Sequence, residues 1–388
     1  MTSNGITAPP LGLYLHTPWC VRKCPYCDFN SHTAPVELPE TAYLEALLAD
    51  LDADLPWLPQ QPVTTLFIGG GTPSLMSPDF YRRLFKGLGE RLDLSQLGEV
   101  TLEANPGTFE QDRFSAYRAL GINRLSLGIQ SFQDPQLKAL GRIHDSANAH
   151  QAIAAAQRAG FERINLDLMH GLPGQTPEQA VADLQAALAY DTGHVSWYQL
   201  TLEPNTAFYS SPPPLPVEDQ LVDIQDAGRD LLLAAGLQNY EISAWSKPGQ
   251  ASQHNLNYWQ FGDYLALGAG AHGKVTLPAS APDNILRYWK TRQPEAYLQR
   301  IGSRTAGRQG ITTGDLPLEF MMNALRLQDG VPSKLFSERT GLPLSAIMGI
   351  LNDLVQEQLL EPMEKRQRLA PTEKGHRFLN DVLERFMV

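Results

Sequence analysis

The sequence predicts an α/β protein built on a partial (βα)6 barrel, followed by a mainly helical, winged-helix-like domain. Two observations predict this. Short apolar strands alternate with amphipathic helices over residues 11–200, which is typical of a parallel sheet with right-handed crossovers. From residue 315 onward the pattern changes to helices. A closed barrel would need eight such units, and six are visible, so we expect the sheet to stay open.

The six strand–helix units follow one another without interruption. Ser77 before Pro78 predicts a helix start, and Gly121 and Gly160 predict two helix ends. Helical spacing in 39–54 gathers its leucines on one face. The predicted strands are 11–16, 64–68, 100–104, 124–129, 163–169 and 195–200. The predicted helices are 39–54, one from 77, 109–120, a pair ending at 159, and 176–190.

We expect three parts: a barrel core (1–210), a barrel extension or linker (211–314) and a C-terminal domain (315–388). In the C-terminal domain the sequence pattern predicts helices at 318–325, 332–340, 345–358 and 373–386, with a hairpin at 359–370. A winged helix commonly binds DNA. This one holds 9 Lys or Arg against 11 Asp or Glu, so the basic footprint is missing and a cap or protein-binding surface is expected.

Composition excludes several classes of protein. The 388 residues carry a formal net charge of −11, which disfavours a nucleic-acid or anionic-membrane surface. No apolar run approaches the ~20 residues of a membrane-spanning helix, and Met1–Pro10 lacks the features of a secretory signal. With thiols that we expect to be reduced, the sequence indicates a cytoplasmic protein.

All three cysteines, Cys20, Cys24 and Cys27, lie within eight residues. Three is an odd number and the spacing is tight, which excludes a disulfide framework. Structural zinc would need a fourth ligand such as His16 or His32, and the sequence has no second ligand pair. An iron–sulfur cluster is the other chemistry that uses clustered thiolates, and three ligands would leave one iron of a 4Fe–4S cluster open.

The spacing C-x-x-x-C-x-x-C, with Tyr26 before the last cysteine, resembles the radical S-adenosylmethionine (SAM) family. In that family the open iron of a 4Fe–4S cluster chelates the amino and carboxylate groups of SAM, and the reduced cluster can cleave SAM to a radical. The resemblance implies that the Tyr26 region contacts adenine. The run 69–73, Gly-Gly-Gly-Thr-Pro, is similar to the family's element along the methionine moiety.

Polar residues follow several predicted strands, where the active sites of βα barrels lie. Glu103 lies in an apolar stretch, and a buried charge is costly unless it is paired or liganded. A salt bridge to an arginine is the alternative for Glu103. The resemblance implies SAM contacts for nine residues: Tyr14, Tyr26, Gly70, Gly71, Thr72, Glu103, Gln130, Arg142 and Asp167.

The segments 128–132 and 171–176 are similar to a subgroup that contains oxygen-independent coproporphyrinogen III dehydrogenases and heme chaperones. Three features favour the chaperones. Phe29 stands where the dehydrogenases carry a fourth cysteine, and the cysteine motif begins only nineteen residues into the chain, without their long extension. The segment 254–259, His-Asn-Leu-Asn-Tyr-Trp, is similar to the chaperones' H-N-x-x-Y-W signature.

An imidazole can ligate heme iron, and flat aromatic rings can cover a porphyrin face. The resemblance therefore implies heme contacts for His254, Asn255, Tyr258 and Trp259, with His272 as a second candidate. The alternative is a packed structural cluster, which is common for a histidine beside tyrosine and tryptophan.

The resemblance implies a carrier without catalytic turnover, which binds heme, a 4Fe–4S cluster and SAM and loads heme onto acceptor proteins of the respiratory chain. SAM would then serve regulation or assembly. The resemblance is also compatible with a homodimer, and with transient association with a membrane through the acceptor protein. The alternatives are a coproporphyrinogen III decarboxylase, another radical reaction on a tetrapyrrole, and a zinc protein with a DNA-binding module.

Overall fold

A computed structural model describes residues 6–107, 111–278, 284–363 and 367–387. Its strands, numbered in chain order, are β1 Leu11–Thr17, β2 Trp19–Cys20, β3 His32–Thr33, β4 Val63–Gly70, β5 Glu99–Ala104, β6 Arg124–Gln130, β7 Arg163–His170, β8 Gly193–Gln199, β9 Gln238–Glu241, β10 Ala244–Ser246, β11 Asp263–Leu267, β12 His272–Thr276, β13 Ile285–Lys290, β14 Thr305–Gly310, β15 Val331–Pro332 and β16 Arg368–Leu369. Its helices are Glu40–Asp54, Pro78–Gly89, Phe114–Ala119, Asp134–Ala139, Ser146–Arg158, Pro177–Leu188, Ala207–Ser210, Glu218–Ala234, Gln253–Trp259, Pro294–Gln299, Leu316–Ala324, Lys334–Thr340, Met348–Gln356, Glu373–Arg377 and Leu379–Glu384, with single 3-10 turns at Pro73–Leu75 and Leu344–Ala346.

The six predicted strands form the parallel centre of one sheet, in the order β1-β4-β5-β6-β7-β8. This confirms the predicted open, six-unit arrangement. Because parallel strands share direction, the loops after their carboxyl ends meet at one edge, which we call the barrel mouth. Apolar side chains such as Leu13, Leu66, Leu102 and Leu125 are buried within the sheet and fix its position.

Later strands extend this sheet at both of its edges. β11 pairs in parallel with β1, and β12, β13 and β14 continue beside it as antiparallel strands. At the other edge β10 and β9 follow β8. The sheet therefore has twelve strands and remains open among the described residues. The division of the chain at 210 and 314 stays a prediction.

Capping residues explain where several helices begin. The Ser77 hydroxyl accepts a hydrogen bond from the Phe80 amide, as predicted. Asp145 and Thr176 form capping boxes at the helices that precede β7 and β8. The predicted start of the third helix, near residue 109, lies outside the described residues.

A buried ion-pair cluster joins the sheet extension to the first helix. The Lys290 ammonium lies 2.9 Å from an Asp50 carboxylate oxygen and 2.6 Å from one of Asp54, and all three side chains are at most 1% exposed. Thr305 on β14 also donates its hydroxyl proton to Asp54. The cluster thus ties β13 and β14 to the helix Glu40–Asp54.

The C-terminal region packs its helices around a second apolar core that includes Phe320, Phe336 and Leu354. The predicted hairpin at 359–370 is paired at its open end: the Glu361 amide donates to the Ala370 carbonyl, the Thr372 amide donates to the Leu359 carbonyl, and a bridge joins Leu360 to Pro371. β16, within the same segment, also pairs with β15, which was not predicted. Gly330 permits this pairing, since a Cβ there would lie 1.8 Å from a carbonyl oxygen of β16. Residues 364–366 of the hairpin lie outside the described residues.

Among the described residues, no helix is both long enough and apolar enough to cross a lipid bilayer.

Candidate functional site

The three cysteines lie in the loop after β1, at the barrel mouth, and all three are half-buried. Burial raises the pKa of the Cys20 and Cys27 thiols, and the charges of the neighbouring cysteines raise them further. The Arg142 guanidinium donates to the Cys24 sulfur at 3.5 Å. The three sulfurs are thus close enough to influence one another, and a guanidinium lies beside one of them.

No three His, Cys, Asp or Glu side chains of the described residues converge to hold a single metal ion. His16 is also a poor fourth ligand for zinc. Its Nε2 donates to the Asn30 carbonyl and its Nδ1 accepts from the Tyr14 hydroxyl, both at 2.9 Å, and burial lowers its pKa to about 4. A cluster of four irons spreads its ligands further apart than one ion does, so three thiolates in one loop fit an iron–sulfur cluster better.

Glycines at the end of β4 bring a second loop against the cysteine loop. A Cβ at Gly71 would lie 2.5 Å from the Trp19 carbonyl oxygen, and Gly70 has φ +117°. Backbone hydrogen bonds from Gly71 to Thr17 and from Thr72 to Trp19, both 2.7 Å, hold the two loops together. Side chains at 70 and 71 would separate these loops, which explains the glycine run.

A polar network connects the loops after β4 and β5 with Arg142. Asn105 donates to the Thr72 hydroxyl at 2.9 Å and accepts from Arg142 at 2.7 Å, and Arg142 also donates to the Gly128 carbonyl. These side chains and Cys24 line a cavity of about 360 Å³. The sequence predicted Thr72 and Arg142 but missed Asn105, which carries no signal of its own beyond its place after a strand.

Glu103 and Asp167 supply carboxyl groups inside the barrel. Burial raises the pKa of Glu103 to about 8, and the charge of Asp167 adds to the effect. The Gly70 amide donates to Glu103 at 3.1 Å. No Arg or Lys of the described chain forms an ion pair with Glu103, so the salt-bridge alternative is not realised there. Burial likewise raises the pKa of Asp167, whose oxygens accept from Ser126 and Asn165.

We expect the stability advantage of Glu103→Gln over the unmodified protein to grow with pH. Between about pH 4.3 and pH 8 the folded chain holds a proton on Glu103 that the unfolded chain has lost, so its stability falls as pH rises. Glutamine does not titrate and avoids this loss. Thermal unfolding midpoints of the SAM-free proteins from pH 5 to 9 measure the difference. Exposed Glu45 provides the control Glu45→Gln, and a difference independent of pH would contradict the prediction.

The remaining residues of the SAM prediction lie at the ends of other strands. Gln130, at the end of β6, adopts φ +69° and accepts from the Tyr198 hydroxyl at 2.6 Å. Tyr26 packs its ring 6.3 Å from that of Phe208. Tyr14 on β1 packs against Phe67. The structure thus brings the predicted residues to the mouth and interior of one barrel, and their SAM contacts stay a prediction.

The helix Gln253–Trp259 lies at the opposite end of the barrel from the cysteines. Its first amides donate to the Glu99 carboxylate at the start of β5, at 3.0 and 3.1 Å, and Arg163 pairs with the same carboxylate at 2.7 Å. The amino ends of parallel strands lie at one edge. The helix therefore closes the bottom of the barrel.

His254 is fully buried in this helix. Its Nδ1 lies 2.8 Å from the Thr65 hydroxyl, its Nε2 lies 2.7 Å from the Tyr258 hydroxyl, and its ring stacks on Phe67. Burial lowers its pKa to about 3. Both ring nitrogens are used, so in this conformation the imidazole is not open to a heme iron. In this structure His254 belongs to a packed, hydrogen-bonded cluster, which was the alternative to a heme contact.

The other residues of the segment diverge. The backbone amide of Asn255 donates to the hydroxyl of Ser252, which caps the helix. Trp259 packs beside the C-terminal core, and the Arg326 guanidinium lies 4.4 Å from the centroid of the Trp259 ring. Tyr258 instead lines a cavity of about 690 Å³ at the barrel mouth, which His272 also lines. The structure does not bring the four predicted heme residues together on one surface.

Comparison with known proteins gives two family matches and full-length relatives. The Radical SAM superfamily matches residues 14–187, and the HemN C-terminal domain matches residues 311–378. The heme chaperone HemW of Escherichia coli (strain K12) is 48% identical, over 98% of this chain and 99% of its own length. The heme chaperones HemW of Haemophilus influenzae and Bacillus subtilis are 47% and 33% identical, over 98% and 96% of this chain and 98% of their own lengths.

A solved structure supports the fold. Coproporphyrinogen III oxidase (HemN) from Escherichia coli, a radical SAM enzyme, aligns with a TM-score of 0.80 at 22% identity, over 98% of this chain and 90% of that chain. At this identity the likeness speaks for the fold alone. The family follows from the curated relatives, which match from end to end. The chain belongs to the heme chaperone HemW family of the radical SAM superfamily.

Proposed function

We propose that this chain is a heme chaperone, which binds heme and transfers it to an acceptor protein. The observation that carries the proposal is the 48% identity, over 98% of the chain, to a curated heme chaperone. The structure adds a cavity at the barrel mouth that is lined by aromatic rings and a histidine. Such a cavity suits a flat, largely apolar ligand with one metal-binding position.

Membership of the radical SAM superfamily implies a 4Fe–4S cluster and SAM. Cys20, Cys24 and Cys27 would hold the cluster, and Arg142 beside Cys24 would offset the thiolate charge. When bound, the cluster and SAM supply one-electron chemistry. The donor set fits this group: three half-buried thiols, with no single-ion site among the described residues.

The SAM site would be the space between the cysteine loop and the strand ends. Thr72, Asn105 and Arg142 offer hydroxyl, amide and guanidinium groups around one cavity. The carboxyl group of Glu103, whose pKa burial raises, would favour a cationic ammonium group as its neighbour. These residues would bind and orient the ligand, and their hydrogen bonds to one another hold the site in place beforehand.

The acceptor would be an apo-cytochrome of the respiratory chain, met in the cytoplasm or at the membrane surface where that acceptor resides. The HemN C-terminal domain match covers 311–378. This region carries no basic excess, which favours a protein partner over nucleic acid. A homodimer is part of the same proposal.

Heme transfer tests the proposal directly. Heme-loaded full-length protein, with its cluster reconstituted under anaerobic conditions, is mixed with an apo-cytochrome whose holo spectrum differs from that of the donor. We expect the acceptor spectrum to appear faster and more completely than with free hemin plus albumin. Transfer no better than from albumin would contradict a chaperone role.

A second assay separates the chaperone from the enzyme. The same protein is incubated anaerobically with coproporphyrinogen III, SAM and a reductant. Formation of protoporphyrinogen IX in amounts exceeding the protein would identify a decarboxylase and overturn the proposal.

A further inference from the structure

The cavity of about 690 Å³ at the barrel mouth contains a histidine that is exposed to it. His272 begins β12, directly after the turn 268–271, and its side chain is exposed. Neither ring nitrogen bonds to another residue in the described part of the chain. In contrast, His254 is fully buried with both nitrogens bonded. His272 is therefore available as a metal ligand without any rearrangement.

Flat aromatic surfaces surround this imidazole. Trp289 lies directly opposite His272 across the β12–β13 pair, with ring centroids 6.5 Å apart and an interplanar angle of 26°. Tyr258 and Tyr264 pack edge to face at 4.3 Å and line the same cavity. Phe29, 61% exposed, lies at its rim. The volume falls within the ~300–1,000 Å³ of typical ligand pockets.

Cationic groups also lie beside the imidazole. Arg287 and Arg292 both act electrostatically on His272. Arg287 is already paired with Glu319. Arg292 is exposed and lines the cavity, and its Nε donates to the Asn30 side chain at 3.2 Å. The cavity thus offers a guanidinium for one acidic substituent near its metal-binding position.

The turn before His272 is held against the cysteine loop. Gly270 has φ +81°, and a Cβ there would lie 2.2 Å from the Asn30 side chain. The Asn30 amide donates to the carbonyls of Ala269 and Arg292, at 2.9 and 2.8 Å. Asn30 thus fixes both the turn that carries His272 and the chain at Arg292 relative to the cysteines.

We propose that heme is held in this cavity, with the His272 imidazole as a ligand to iron and the Arg292 guanidinium against a propionate. This inference rests on the proposed heme chaperone function and assigns its binding site. Asp28 also lines the cavity, as do three residues of the predicted SAM set, Tyr14, Gly70 and Glu103. Glu103 lies on β5, four strands from His272 in the sheet. The heme would therefore occupy the part of the cavity at the exposed His272 and Arg292, next to the SAM site, and a propionate near Arg292 does not need to face Glu103.

A second cavity provides the matched control. It measures about 750 Å³, lies between the barrel and the C-terminal region, and is lined by His376, Trp245 and Arg368. The His376 Nε2 is buried without a partner among the described residues. This cavity contains a histidine, a tryptophan and an arginine, as the proposed site does. If heme bound here instead, His376→Ala would weaken heme binding and His272→Ala would not.

The test is a hemin titration of the full-length, cluster-containing protein, followed by Soret absorbance. We expect His272→Ala to weaken heme affinity about tenfold or more and to change the coordination spectrum, while His376→Ala leaves both unchanged. Added imidazole should restore the spectrum of His272→Ala. Because His272 is exposed, the His272→Ala variant should unfold at the same midpoint temperature as the unmodified protein. An unchanged midpoint shows that weaker heme binding comes from the loss of a ligand and not from misfolding.

Three results decide the assignment. Unchanged affinity and spectrum in His272→Ala would overturn it, whatever the effect of His376→Ala. Weakening in His272→Ala with no rescue by imidazole and a lowered unfolding midpoint would also count against an iron ligand. If the unmodified protein itself binds hemin no better than albumin, the proposed function fails together with the site.

Discussion

Replacing Cys24 with serine is expected to abolish stable binding of the 4Fe–4S cluster. Three thiols provide all the protein ligands in the proposed site, so losing one leaves too few to hold about four irons. The Arg142 guanidinium would also lose the sulfur to which it donates. Iron and acid-labile sulfide are measured after anaerobic reconstitution, and we expect both to fall from about four per chain to a small fraction of that.

Ser31→Ala is the matched control for this experiment. The Ser31 hydroxyl lies 3.6 Å from the Cys27 sulfur, so the substitution alters the same loop without removing a thiol. It should retain iron and sulfide. Full iron content in a variant that lacks all three cysteines, or zinc in place of iron in the unmodified protein, would contradict the assignment.

The largest loss of stability is expected for Lys290→Ala. Its removal leaves the carboxylates of Asp50 and Asp54 buried without their cation, which typically costs about 3–5 kcal/mol. The link between the sheet extension and the helix Glu40–Asp54 would be lost with it. Denaturant unfolding of the two proteins measures the difference in the free energy of unfolding.

Lys247→Ala is the comparison, because Lys247 pairs with Asp191 where both side chains are more than a third exposed. Exposed pairs contribute about 0–1 kcal/mol. Equal losses for both variants would show that the buried cluster has no special role in stability.

The buried cluster of Lys290, Asp50 and Asp54 is also expected to make the folded protein less stable at low pH. Burial alone would raise the pKa of Asp54, but the Lys290 charge and hydrogen bonds from Ser303 and Thr305 outweigh it and lower the pKa. A lowered folded-state pKa stabilises the protein above the unfolded value of about 3.9. This contribution is lost as pH falls through the folded pKa.

Local chemistry made part of the site predictable from the sequence. The three cysteines lie within eight residues, so their shared role needed no knowledge of the fold. The glycine run after β4 was visible because a strand leads straight into it, and the structure shows the close approach that requires it. Asn105 and Asn30 escaped notice, since an asparagine in a loop acquires its importance only through partners distant in sequence.

The position of His254 could not be predicted from the sequence, because it depends on pairing between strands that are distant in the chain. The helix Gln253–Trp259 leads directly into β11, and β11 runs parallel to β1 with Leu11 opposite Asp263. A helix just before a parallel strand lies at the amino edge of the sheet, far from loops after strand ends. The sequence does not reveal that pairing, so it could not separate the buried His254 from the accessible His272. For the same reason the sequence did not reveal that β16, inside the predicted C-terminal hairpin, also pairs with β15.

The helix at the bottom of the barrel also determines how a cargo would move. His254, Thr65 and the Glu99–Arg163 pair fill the amino edge of the barrel among the described residues. In the proposed site, heme would therefore enter and leave on the opposite side, past the exposed Phe29 and Arg292. An acceptor protein would then have to bind on that same side of the barrel to receive it.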